Sequence, residues 1–281
     1  MVYHILLFNV LDAIRVLDAL SFKKMVFVVL GAAVFFALVL TVITYLLIGK
    51  KKYTTSIGSA LANDINAGIV GLILAFIVVS MYQVNQHAQK AILKETAILV
   101  SILNTSEALD NADEIREAVH RYTKAVIQEE WPLMRSGNSN QIWNESGAMI
   151  DPFSKKFRNP FYQIIKHSHP KGFIEQNLYN SLLSLLEQLT AARRERIAAA
   201  DFHLPIQIWR TIILMSMILI WFIIYMNPWE GWHSLVPIII TSVIIALALS
   251  LIISLHYPFQ GPFAIPSDLY HQGALYFLET S

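Results

Sequence analysis

Residues 25–49 read MVFVVLGAAVFFALVLTVITYLLIG, an uncharged stretch of 25 residues that decides the fold class. Lys23 and Lys24 precede this stretch, and a lysine triplet at residues 50–52 follows it. At about 1.5 Å per residue a helix of this length is roughly 37 Å long, whereas the hydrocarbon core of a bilayer is about 30 Å thick. The stretch therefore predicts a membrane-spanning helix with charge at both ends.

Three more uncharged stretches are long enough to cross a bilayer. They cover residues 65–89, 211–229 and 231–267, and the last is most apolar over residues 235–255. Because no Asp, Glu, Lys or Arg lies inside any of the four stretches, the sequence offers no proton relay and no carboxylate site for ion coupling in the membrane. The pattern predicts an all-α fold, a four-helix transmembrane bundle with a long helical cytoplasmic domain between the second and third spans.

The composition excludes several other classes of protein. Of the 281 residues, 55% are hydrophobic and 15% are charged, whereas a soluble globular domain is about a quarter charged. The formal net charge is +1, so no basic field indicates a nucleic-acid partner. The chain has no Cys, which excludes disulfides, thiolate metal sites and thiol nucleophiles. The expected partner is the lipid bilayer.

We expect five segments along the chain. They are an interfacial N-terminal helix at residues 1–24, the first two transmembrane helices at 25–89, a helical cytoplasmic domain at 90–204, the third and fourth transmembrane helices at 205–256 and a C-terminal tail at 257–281. The first segment has an apolar face at helical spacing, which suits a helix lying in the membrane interface; packing of this helix against the bundle is the alternative. Aromatic residues around the third span are interpreted as an interfacial belt: Trp209, Tyr225, Trp229 and Trp232.

The distribution of basic residues near the membrane ends predicts the orientation. One side carries eight of them, namely Arg15, Lys23, Lys24, Lys90, Lys94, Arg193, Arg194 and Arg196, and the other side carries the triplet at residues 50–52. Because basic residues are retained on the cytoplasmic side, we expect both termini and the central domain in the cytoplasm.

Residues 90–200 hold 27 of the 41 charged residues and show helical periodicity. One apolar stripe continues the second span into this segment: Ile92, Leu99, Ile102, Leu103 and Leu109. A second pattern predicts a helix from about Phe173 to Ala200. Its basic end, residues 193–196, suits the negative end of the helix dipole and the inner leaflet.

Between these two helices the sequence predicts a shorter helix and a loop region. Asn111 and Glu114 resemble a capping box, and the helix that follows is expected to stop at Pro132. The pair Glu129–Glu130 is interpreted as a solvated helix end, because adjacent residues point to different faces of a helix. Residues 132–170 are rich in Pro, Gly and Asn and are expected to form loops with short helical pieces.

The sequence contains no recognisable catalytic or cofactor motif. A phosphate-cradling glycine loop, a zinc-protease helix and a nucleophile elbow are all missing. His167 and His169 could bind a metal in principle, but two histidines without a nearby carboxylate cluster are interpreted as loop residues. We therefore expect no enzyme activity, no cofactor and no metal.

The second membrane helix carries the most informative face. Eight residues follow each other at steps of three or four: Ile69, Ile73, Phe76, Ser80, Gln83, His87, Lys90 and Lys94. Symmetry copies of this face would line a pore with an apolar constriction and a basic mouth that favours small inorganic anions. The alternative is that Ser80 and Gln83 bond to neighbouring helices and that residues from Gln83 onward lie outside the membrane.

Three segments resemble a known family. They are QEEWPLM at residues 128–134, AARRER at 191–196 and YPFQGPF at 257–263. Together they are similar to the bacterial bestrophin-like membrane protein family, a domain of unknown function. The residues that carry the family motif are Glu130, Trp131, Pro132, Arg193, Arg196, Pro258, Phe259, Gly261 and Pro262. The chain departs from the family pattern at His256, where an acidic residue is common.

The resemblance implies a multi-pass protein of the bacterial inner membrane that forms a homo-oligomer. It also implies an ion channel whose second membrane helix lines the pore, although neither the pore-neck aromatic series nor the acidic calcium clasp of animal bestrophins is present. The expected function is thus an oligomeric anion channel. The alternative is a non-conducting membrane scaffold or sensor that acts through its cytoplasmic helices.

Overall fold

A computed structural model describes residue 17 and residues 21–48, 57–142, 172–226 and 232–271. All regular secondary structure in these ranges is helical, which confirms the all-α prediction. Several sequence predictions concern residues outside them. These are most of the interfacial N-terminal helix, the lysine triplet, the belt residue Trp229, the histidines His167 and His169, and the end of the C-terminal tail.

Helices account for nearly all of the described chain. They are α1 (Phe22–Ile48), α2 (Ile57–Ser106), α3 (Ala112–Ala125), α4 (Trp131–Arg135), α5 (Phe173–Ala200), α6 (Ile206–Met226) and α7 (Leu235–His256). Four segments are long and apolar enough to cross a membrane, as predicted: Phe22–Leu47, Leu61–Ser106, Ile206–Met226 and Trp232–His256. Because α2 has 50 residues, about 75 Å at 1.5 Å per residue, it is much longer than a bilayer core.

The chain divides into two compact units. The first, here the membrane unit, comprises Met1–Gln83, His203–Tyr257 and Gly261–Phe263. The second, here the helical unit, comprises Val84–Phe202, Pro258–Gln260 and Ala264–Ser281.

In the membrane unit α7 presents a seam of small residues. Ser242, Ala246, Ser250 and Ser254 recur every fourth position, and each is at most 1% exposed. The three serine hydroxyls donate to the carbonyl four residues earlier, each at 2.7 Å. At the end of the seam the Ser254 hydroxyl approaches the sulfur of Met25 in α1 at 3.9 Å. Small side chains with internally satisfied hydroxyls allow membrane helices to pack closely.

The predicted aromatic belt is wrong at its first position. Trp209 is 2% exposed and lies edge-on to His256 rather than at the lipid surface. Trp232, in contrast, is 70% exposed, as an interfacial residue should be. Hydropathy alone does not separate these two tryptophans, because both stand at the end of an apolar run.

The core of the helical unit forms from the stripes that the sequence predicts. All five residues of the predicted stripe are buried, and Ile92 and Leu99 are 0% exposed, although Leu109 lies in the turn after the end of α2. On α3 the residues Ile115, Val119 and Tyr122 are buried as well. The predicted bounds of α5 are confirmed.

The predicted capping box at Asn111 is wrong. Asn111 is the N-cap residue of α3, and its carbonyl accepts the amide of Ile115 at 3.2 Å, but its side chain makes no capping hydrogen bond. Instead the Asn111 side-chain oxygen accepts the hydroxyl of Tyr179 from α5, at 3.3 Å. The tertiary contact replaces the local one.

The predicted helix end at Pro132 is also wrong. One π-helical turn, Val126–Glu130, follows α3 directly and leads into α4. Pro132 stands in the first turn of α4, where a missing N–H leaves no hydrogen bond unmade. The helical path therefore continues to Arg135.

Candidate functional site

Four charged side chains meet in the centre of the helical unit. Glu95 comes from α2, Glu130 from the π turn, and Arg193 and Arg196 from α5; none is more than 4% exposed. Arg196 donates from Nε to Glu95 at 2.7 Å and from Nη2 to Glu130 at 2.6 Å. Arg193 donates from Nε to Glu130 at 2.9 Å. We call these four residues the buried charge network.

Neutral side chains complete the surroundings of the network. The Tyr122 hydroxyl donates to Glu95, and Arg196 Nη1 points to the sulfur of Met134 at 3.3 Å. Two carboxylates balance two guanidinium groups. Because buried charges are tolerated when they are paired and hydrogen-bonded, the network fits the interior despite its polarity.

The pKa values of these groups favour their charged or bonded forms. Burial raises the pKa of Glu130, but Arg196 and Arg193 outweigh it and leave this pKa below its ordinary value. Burial lowers the pKa of Arg196, yet Glu95 outweighs it and holds this pKa well above its ordinary value. Burial and the adjacent Glu95 carboxylate raise the pKa of Tyr122, so its hydroxyl stays protonated.

Local helix geometry brings the network together. Arg193 and Arg196 are three residues apart and share one face of α5. The π turn places Glu130 in the core while its neighbour Glu129 is exposed. π turns occur often at functional sites.

The network corrects two interpretations of the sequence. The solvated helix end applies to Glu129, whereas Glu130 is buried in ion pairs. Arg193 and Arg196 face the core rather than the inner leaflet, and Arg194 alone of the three arginines is exposed. Both errors have the same cause. Helical periodicity indicates which face of a helix carries a residue, but not which residues of other elements contact that face.

Sequence reasoning missed Glu95. It lies three residues after Ile92 and four before Leu99, and therefore falls on the buried stripe of α2. A single carboxylate on an apolar stripe requires a basic partner, and that signal was available in the sequence.

The family-motif residues of the tail lie beside the same core. Phe259 is 2% exposed and meets Trp131 edge-on at 5.3 Å, so it packs on the helical unit. Trp131 also meets Tyr270 edge-on at 5.8 Å. Gln260 donates to the Met134 carbonyl at 3.3 Å.

The turn after α7 has a left-handed backbone conformation at Gly261. α7 ends at His256, and the extended backbone of Tyr257 leads into the two-proline segment. Gly261 has φ +73°, a conformation that L side chains rarely adopt. Phe263 is 47% exposed and meets Phe22 of α1, with the ring centroids 5.4 Å apart.

The predicted pore-lining face of α2 is exposed along its length. Seven of its members are exposed, namely Ile69, Phe76, Ser80, Gln83, His87, Lys90 and Lys94, and Ile73 is half-buried. Residues on the other side of the same helix are buried, among them Val70, Leu74, Met81 and Ala88. Among the described residues, α2 therefore has one face that packs against the protein and another that is exposed, on which Lys94 pairs with Glu195.

Two contacts modify the chemistry of this face. The Ser80 hydroxyl donates to the Phe76 carbonyl at 2.8 Å. The hydroxyl proton is therefore used within the helix, and the Ser80 oxygen can still accept a hydrogen bond from another group. Lys94 Nζ donates to both carboxylate oxygens of Glu195, at 2.9 and 3.0 Å. Because both side chains are about half exposed, water screens this pair.

Within the described ranges, no group of three or more His, Asp or Glu side chains is placed to hold a metal ion. No curated protein and no solved structure matches the chain. A family model, described as the Bestrophin-like domain, matches residues 26–270. With its four apolar helices and this match over most of its length, the chain is an integral membrane protein that belongs to the Bestrophin-like family.

Proposed function

We propose that this protein is an oligomeric anion channel of the bacterial inner membrane, lined by the exposed face of α2. In this proposal several copies surround one axis and Phe76 forms the narrow apolar level. Ser80 and Gln83 follow one and two turns further along, and Lys90 stands at the mouth. The protein has no enzymatic role.

The observation that carries the proposal is the contrast between the two faces of α2. Phe76 is 65% exposed, and the polar residues Ser80 and Gln83 lie exposed on the same face. An amide side chain facing lipid tails has no hydrogen-bond partner and is unfavourable there. Water in a pore, or the same face of a second copy, satisfies this amide.

Charge at the mouth supports an anion as the permeant ion. Lys90 is exposed, and His87 lies one turn before it. Lys94 adds less than its formal charge, because Glu195 pairs with it. Rings of Lys90 around an axis would raise the local concentration of anions.

The proposed orientation places both termini and the helical unit in the cytoplasm. Without the buried Arg193 and Arg196, six of the counted basic residues remain on that side against three on the other. Asn140 is exposed, so Asn140→Cys in this Cys-free chain gives a single labelling site. We expect an impermeant thiol reagent to label it only after the cells are opened; labelling of intact cells would contradict the orientation.

Ion flux tests the channel directly. In proteoliposomes we expect Phe76→Ala to raise anion flux, because a wider constriction is more easily wetted. Phe35→Ala is the matched control, since Phe35 is 70% exposed on α1 and lies outside the proposed lining. Equal flux in the two variants would contradict the assignment of α2.

The second candidate is a non-conducting scaffold or sensor. Phe173 and Ile174, at the start of α5, are 82% and 75% exposed on the helical unit, and such residues favour contact with another protein. If purified, well-folded protein and its Phe76→Ala variant both fail to conduct, the scaffold becomes the leading function.

A further inference from the structure

Two buried N–H groups of the membrane unit have no hydrogen-bond partner among the described residues. They belong to Trp209, near the start of α6, and to His256, the last residue of α7, which are 2% and 0% exposed. The two rings meet edge to face with their centroids 5.6 Å apart. Trp209 Nε1 and His256 Nε2 are both inaccessible to solvent and bond to no described atom.

The state of the His256 ring follows from its other nitrogen. Nδ1 accepts the backbone N–H of Leu204 at 3.4 Å. A ring nitrogen that accepts a hydrogen bond carries no proton, so the neutral ring has its hydrogen on Nε2. Both unbonded atoms are therefore donors. Native proteins rarely leave such buried donors unbonded, and they satisfy them with an ion, a ligand or water.

The surroundings determine the chemical class of the missing acceptor. Because both groups are donors, the missing group is an acceptor, and an anion accepts from two N–H groups more strongly than a neutral acceptor does. Because neither nitrogen is open to solvent, the acceptor is small.

We propose that Trp209 and His256 bind a small inorganic anion of the halide type between the start of α6 and the end of α7. Each donor makes a charge-assisted hydrogen bond to the ion. The ion thereby links two membrane helices at the side of the bilayer where α6 begins. The site lies on helices other than α2, so it does not depend on the proposed pore.

The first test measures how halide affects the stability of the full-length protein in detergent. At constant ionic strength we compare the thermal unfolding midpoint in chloride or bromide with that in isethionate, an organic anion much larger than a halide. We expect a saturable rise in the midpoint with halide, because a ligand that binds only the folded state stabilises it. An unfolding midpoint that does not depend on halide would overturn the proposal and assign the two donors to water.

Two tryptophan variants test whether the halide effect depends on the N–H group of Trp209. Trp209→Phe keeps an aromatic ring but removes the donor, and we expect halide binding to weaken by about tenfold or more. Trp221→Phe is the matched control on the same helix, since Trp221 is 43% exposed and stacks on Tyr225. A halide response that survives in Trp209→Phe would overturn the proposal.

Two variants separate the nitrogens of the histidine. In His256→Asn the amide oxygen replaces the Nδ1 acceptor for Leu204, but no donor remains at the Nε2 position, so halide binding should be lost. His256→Gln places an amide donor near Nε2 and should retain binding in part. The reverse order of affinities would contradict the assigned role of Nε2.

If these variants fold poorly, NMR of the wild-type protein measures halide binding at Trp209 directly. With ¹⁵N-labelled tryptophan, the indole N–H signal of Trp209 should shift saturably with bromide, whereas that of Trp221 should not. An unchanged Trp209 signal would overturn the site. Because this experiment measures binding and not conduction, its outcome is independent of the flux measurements.

Discussion

The two units of this protein treat polar side chains in opposite ways. In the membrane unit the buried serines Ser242, Ser250 and Ser254 donate to their own helix, so their hydroxyls need no partner elsewhere. In the helical unit, charged groups from three different elements depend on one another, as Glu130 does on Arg196. The membrane helices can therefore tolerate small changes locally, whereas the helical unit is sensitive to the loss of any one charge.

The largest expected effect is the loss of a single charge from the buried network. Arg196→Met leaves Glu95 and Glu130 buried with fewer partners, and we expect a destabilisation of about 3–5 kcal/mol. Lys94→Met breaks the exposed pair with Glu195 and should cost about 0–1 kcal/mol. Denaturant unfolding of the purified variants measures both values. Similar losses for the two substitutions would contradict the contrast between buried and exposed pairs.

The next effect concerns the backbone of the tail turn. At φ +73°, Gly261→Val forces a β-branched side chain into the left-handed region, which costs about 1–2 kcal/mol or more. We expect a lower yield of folded protein and a lower unfolding midpoint. Gly31→Val on α1 is the control, because Gly31 is helical and no atom lies within 4 Å of an added Cβ. Wild-type stability for Gly261→Val would contradict the account of this turn.

A smaller effect concerns how stability depends on pH, and it should distinguish Glu130 from the adjacent Glu129. The pKa of Glu130 is lowered from 4.5 in the folded state, so its stabilising contribution is fully present above about pH 4.5. That contribution is lost as the pH falls through the lower folded value, because protonation removes the carboxylate from Arg193 and Arg196.

The comparison uses neutral replacements at both positions. Glu130→Gln should be less stable than wild type at neutral pH, and the difference should shrink as the pH falls. Exposed Glu129→Gln should follow the wild-type pH profile throughout. Unfolding midpoints between about pH 3 and pH 7 measure these profiles. A constant difference between Glu130→Gln and wild type over this range would contradict the assigned ion pairs.

The sequence predicted the elements better than it predicted their contacts. Long apolar runs define the four spans, and leucine spacing defines Phe173–Ala200, because both patterns are local. The partners of Glu130 and Trp209 were not predictable in the same way. Glu130 meets residues 63 and 66 positions later in the chain, and no local pattern encodes such a distance.

The same distinction between local patterns and long-range contacts applies to the candidate site. Helical spacing along α2 was sufficient to predict which residues share a face, from Ile69 to Lys94, and all of these except the half-buried Ile73 are exposed. Pro132 misled the prediction because a π turn before it made room for the proline within a continuous helical path. Glu95 was missed although its position on an apolar stripe indicated a buried charge.

The central claim, that α2 lines an ion-conducting pore, is tested most directly by thiol block of a single position. Ser80→Cys introduces the only cysteine of the chain on the proposed lining face. Ala75→Cys introduces one at an exposed position that is neither three nor four residues from any member of that face and therefore lies off it. In reconstituted protein we predict that a water-soluble thiol reagent reduces anion flux through Ser80→Cys and leaves flux through Ala75→Cys unchanged. Unreduced flux through a fully labelled Ser80→Cys protein would contradict the account.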